Sequence, residues 1–93
     1  MFLKFLFQAH KNQRVAVLSH LTKTQIDVLS EIALNIYRGV FPNKQKYVKS
    51  LKPFRSTVFY LGSKTVSRRD KKEILLRHNG LIPSLVRPVL DFL

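Results

Sequence analysis

Residues 65–93 read TVSRRDKKEILLRHNGLIPSLVRPVLDFL, a cation-dense half followed by an almost purely apolar one. In the first half Ser67 stands where a helix N-cap belongs, with Asp70 three residues on as a weaker form of the capping box. Ile74, Leu75 and Leu76 supply an apolar side, and Arg68, Arg69, Lys71, Lys72 and Arg77 are expected to face outward. Asn79 and Gly80 predict a left-handed stop. The chain is expected to restart as a helix from Leu81, with Pro83 allowed in its first turn and Pro88 disturbing its continuity. Leu81, Ile82, Leu85, Val86, Val89, Leu90, Phe92 and Leu93 make this tail apolar on more than one side. It suits the domain's own core, a partner, or an anionic membrane surface. As a helix it reaches about 20 Å, short of the ~30 Å hydrocarbon core, so it does not span. The chain therefore divides into a basic helical domain, residues 1–80, and an apolar tail, residues 81–93, packed on the domain or on a partner.

Upstream, Gly62, Ser63 and Lys64 form a turn and not a phosphate loop, which needs two glycines flanking four residues before its lysine. Between residues 43 and 61, Val48, Leu51, Phe54, Val58 and Leu61 trace an apolar stripe, and Lys44, Lys46, Lys49, Lys52 and Arg55 fill the other faces. Pro53 interrupts it, so either two short helices meet there or one helix kinks. Val58, Phe59, Tyr60 and Leu61 have some strand character, but a lone strand has nothing to pair with and the segment is read as helical.

Thr22 and Gln25 have the spacing of a capping box. Ile26, Leu29, Ile32, Ala33 and Ile36, with Val40 beyond, then follow one helical face. Gly39 and Pro42 close it. Residues 1–21 read as a first helix, in which Leu3, Leu6, Phe7, His10, Arg14, Val15, Leu18 and Leu21 recur at three and four. His10 and His20 are read as interfacial or solvated, since neither has a partner at metal-ligand spacing. The fold class predicted is a small all-α bundle of four to five short helices.

Charge dominates the composition: 17 Lys and Arg against five Asp and Glu give a formal net charge of +12 over 93 residues. Residues 43–78 hold eleven of the cations against two carboxylates. A field of that sign attracts nucleic acid or anionic lipid and opposes self-association. The apolar share of 45% is too high for a disordered chain, so a thin core is expected. With no cysteine there is no disulfide framework or thiolate metal site. Lys4 interrupts the apolar N-terminal patch and no small-residue cleavage site follows, so no signal peptide is expected. Carboxylates that are few and set among cations favour ion pairing over acid–base catalysis, and no nucleophile–base arrangement stands out. Neither an enzyme nor a cofactor is expected.

Residues 61–75, LGSKTVSRRDKKEIL, superficially fit a helix-turn-helix, but Asn and Gln are missing from the helix that would read bases. Lysines favour phosphates, so sequence-independent contact is the expectation.

The segments EIALNIYRGV and LKPFRSTVFYLGSKTVSRRDKKEILLRHNGLIPSLVRPVL carry a resemblance. They resemble a family of small basic proteins of Maverick/Polinton elements and adintovirus-like genomes of animals. The matching positions are Glu31, Asn35, Gly39, Leu51, Leu61, Val66, Ser67, Lys71, Lys72, Leu75, Gly80, Pro83, Leu85 and Pro88, within residues 18–93. Asn79 stands where the family has a first glycine, and no glycine-rich apolar extension follows Leu93. The resemblance implies a minor virion or core component, similar in character to adenovirus core proteins, in a virion interior or host nucleus.

The expected function is therefore sequence-independent nucleic-acid binding, with double-stranded DNA as the ligand. Its phosphate contacts are assigned to Lys44, Lys46, Lys49, Lys52, Arg55, Lys64, Arg68, Arg69, Lys71, Lys72 and Arg77. Two alternatives rest on the tail. One is a membrane-active or capsid-interior protein that inserts it. The other is a protein-interaction module, such as a homo-oligomer or capsid-protein partner, that uses it as an interface.

Overall fold

The computed structural model describes residues 2–41 and 49–91, and its axis is the helix whose caps the sequence marks most clearly. That helix, α3 (Lys23–Tyr37), opens on both halves of a capping box. The Gln25 amide donates to Thr22 Oγ1 at 3.1 Å and the Thr22 amide to Gln25 Oε1 at 3.0 Å. It closes on Gly39, whose φ of 70° lets the Gly39 amide reach the Ile36 carbonyl and the Val40 amide the Asn35 carbonyl, both at 3.0 Å. This is the Schellman arrangement, and glycine adopts its left-handed residue without steric cost. The same turn carries Val40 off the α3 face, leaving it exposed rather than in the stripe it was expected to extend.

Around α3, among the described residues, stand α1 (Phe2–Gln8), α2 (Lys11–Ser19), α4 (Arg55–Gly62), α5 (Arg68–Arg77) and α6 (Ile82–Leu90). No strand occurs among the described residues, and the molecule is a small all-α bundle. α4, α5 and α6 all pack on α3, while α1 lies against α6 and α2 against α5.

The expected first helix is two helices. His10 is extended, and its amide donates to Gln13 Oε1 at 3.0 Å while Arg14 Nη1 donates back to the Ala9 carbonyl at 3.2 Å. Leu3 and Leu6 of α1 and Leu18 of α2 all join one core across this break. At Pro53 two helical pieces meet: residues 49–51 are helical and a 3₁₀ turn over Lys52–Phe54 leads into α4. Val48 and Pro42 lie outside the described residues.

Two expectations near the C-terminus are corrected. Asn79 and Gly80 are not a left-handed stop but part of a 3₁₀ turn, Asn79–Leu81. Asn79 caps α5 through its side chain instead, with Nδ2 donating to the Leu76 carbonyl at 3.1 Å. Nor does Pro88 break α6, which runs through it. Leu81, Leu85 and Pro88 follow at spacings of four and three and are all buried. Ring burial there offsets the hydrogen bond the proline cannot donate.

Gly62 is the last residue of α4 rather than part of the turn after it. A Cβ built there would lie 2.8 Å from both the Cα and the backbone nitrogen of Leu34. Only a glycine permits this approach of α4 to α3. Leu81, Ile82, Leu85 and Val86 are fully buried with Leu29, Leu61 and Leu75 in a single core, so residues 81–91 belong to the same body as the rest. A Cα radius of gyration of 12.0 Å agrees with the value of about 12 Å for one domain of this length.

Candidate nucleic-acid interface

Helix α5 begins at Ser67, whose Oγ accepts from the Asp70 amide at 3.2 Å. From there Arg68, Lys71 and Leu75 recur at spacings of three and four and form one face. Leu75 is fully buried, so that face turns toward the core and takes Lys71 with it, while Arg68, a turn earlier, stays at the surface. On α3 it meets Asp27 and Ser30, also three apart. Arg68 Nε donates to Asp27 Oδ1 and Nη2 to Oδ2, each at 2.9 Å, a bidentate pair at the bundle surface.

Lys71 is only 7% exposed, which corrects its expected outward orientation. Its Nζ donates to Ser30 Oγ at 2.6 Å, and the Ser30 hydroxyl donates to the Leu61 carbonyl at 2.7 Å. That carbonyl lies in the last turn of α4, where helical carbonyls lack intrahelical partners. One hydroxyl thus joins α5, α3 and α4. Burial lowers the Lys71 pKa from its ordinary 10.5, opposed by the nearby carboxylates of Asp27 and Glu31. Hydrogen bonds from Arg68 hold the Asp27 carboxyl below its ordinary 3.8.

Lys71 is therefore spent inside the protein, and Arg68 is paired with Asp27 at its surface. Lys72 is half-buried. Lys49, Lys52, Arg55, Lys64, Arg69 and Arg77 are exposed. Among the described residues the ion pairs are Asp27–Arg68 and, at 4.0 Å on α6, Arg87–Asp91, so these six cations are not neutralised there. Lys44 and Lys46 lie outside the described residues.

The tail residues assigned to a partner or membrane are placed differently from a free interface. Leu81, Ile82, Leu85 and Val86 are core, while Val89 and Leu90 are partly buried against it. Phe92 and Leu93 lie outside the described residues. Among the described residues no helix is long and apolar enough to cross a membrane.

Sequence reasoning missed a second feature. Tyr37 at the end of α3 and Phe59 and Tyr60 on α4 are 59%, 47% and 52% exposed. The Tyr37 and Phe59 ring centroids are 5.1 Å apart at 64°, and those of Phe59 and Tyr60 5.8 Å apart at 73°. The signal was present: Tyr37 follows the buried Ile36, and Phe59 and Tyr60 fall between the buried Val58 and Leu61. All three are thus off their helices' inward stripes. No protein-family model, curated protein or solved structure matches the chain.

Proposed function

We propose that this protein binds nucleic acid through its phosphates, without reading base sequence, and serves as a DNA-packaging or core protein of a virus-like element. One observation carries the reading: six of the cations assigned to phosphate contacts are exposed and, among the described residues, without ion pairs, on a chain of net charge +12. Exposed lysines and arginines on a rigid bundle suit phosphates, and their flexible stems tolerate any base sequence. Double-stranded DNA is the ligand proposed, and the resemblance to small basic proteins of Maverick/Polinton elements supports the packaging role. Inserting the C-terminal helix in a membrane would require four fully buried side chains to leave the core, so the membrane alternative gains no support from their placement.

The test is affinity for an arbitrary duplex of roughly 30 base pairs across a salt series. With about six phosphate contacts, affinity falls by about 10³ between 50 and 200 mM salt. Charge reversal at Lys52, Arg55, Arg69 and Arg77 weakens binding to every sequence alike and leaves the melting temperature near that of the parent. Weak binding at low salt, or a loss confined to some sequences, overturns the reading.

A further inference from the structure

We infer that Tyr37, Phe59 and Tyr60 form a platform on which unpaired nucleic-acid bases stack, so that the protein holds single strands through their bases as well as their phosphates. The inference rests on the phosphate-binding reading and adds a second site to it. The three rings lie in one run, each about half exposed, beside a core that is complete without them. None is stacked face to face on another, since the interplanar angles are 64° and 73°, so parallel packing does not seal the ring faces.

Charge decides between occupants. A second copy of the chain would bring another +12 to the patch, and that repulsion opposes association. A nucleic-acid strand brings flat aromatic faces with an anion at every step. Arg38 follows Tyr37 at the end of α3, and Arg55 lies one turn before Phe59 on the same side of α4. Both are exposed, so cations flank the rings where a backbone would run. Aromatic side chains beside a basic track are how proteins hold single strands without sequence preference.

The chain has three tyrosines and no tryptophan, and two of the three, Tyr37 and Tyr60, lie in the patch, so tyrosine emission responds to its occupancy. The experiment compares three ligands at equal salt: oligothymidylate of about 16 nucleotides, an abasic deoxyribose-phosphate strand of equal length, and a duplex of the same length. Oligothymidylate should quench tyrosine emission and bind roughly ten- to a hundredfold more tightly than the abasic strand. The triple variant Tyr37→Leu/Phe59→Leu/Tyr60→Leu keeps apolar bulk and removes the rings. It should bring oligothymidylate down to the abasic level with duplex affinity unchanged. Equal binding of oligothymidylate and the abasic strand by the parent protein overturns the platform while leaving the phosphate reading intact. No binding to any of the three overturns both. A concentration-dependent dimer that Tyr60→Arg dissociates, without any preference for oligothymidylate, assigns the patch to a second copy and overturns the inference.

Discussion

Ser30 carries more of the bundle than its size implies, because among the described residues its hydroxyl is the only hydrogen-bond partner of the Lys71 ammonium and also donates to the Leu61 carbonyl. Ser30→Ala removes both bonds at once and leaves two part-buried polar groups unsatisfied. Urea unfolding should show a loss of about 1–3 kcal/mol. Lys71→Met keeps the buried stem and removes a charge whose desolvation is unfavourable, so its effect should be smaller than that of Ser30→Ala. Asp27 sets a pH dependence. Its folded pKa is depressed, so the stability it contributes is present above the ordinary value of 3.8 and is lost as pH falls through the lower folded value. Acid titration should therefore show a decline below about pH 4 that Asp27→Asn flattens. The Arg68, Lys71, Leu75 spacing was readable in the sequence, and it placed both cations in line with a buried leucine. Lysine and arginine are nearly always solvated, and the partners that bury Lys71 and pair Arg68 sit 41 positions away on α3, beyond any local pattern.

At the scale of elements, the helix ends that carry a preferred capping residue were legible and the others were not. Thr22 with Gln25 and Gly39 did what their local chemistry dictates. His10 with Gln13 was missed because histidine is not among the preferred caps, although the glutamine stood at the diagnostic spacing. Glycines also divide. Gly80 looked like a left-handed stop and has open space around it, whereas Gly62 looked like a turn and touches the α3 backbone. Gly62→Ala should cost about 1–3 kcal/mol in denaturant unfolding, because the atoms it meets are main chain and cannot swing aside. Gly80→Ala should change stability by less than about 1 kcal/mol. Equal effects would show that the α3–α4 approach has room to relax.

For the molecule as a whole, apolar periodicity was enough to predict an all-α bundle, but not which helix lies on which. Whether the tail packed in the domain's own core, on a partner or on a membrane was left open, and Leu81, Ile82, Leu85 and Val86 are integral to that core. Removing residues 81–93 takes away four fully buried side chains, worth roughly 1.5–3 kcal/mol each, comparable to the whole stability of a small domain. The shortened chain should lose its cooperative thermal transition by circular dichroism. Retained cooperativity would mean that the first five helices form a body of their own. The packing of α1 against α6 also has a consequence in time. About seventy residues of chain separate the two helices. At roughly 5–20 residues per second, α1 leaves the ribosome about 4–15 s before its neighbour is made. For that interval Leu3 and Leu6 lack the surface of α6 that later covers them, and their apolar side chains stay in water.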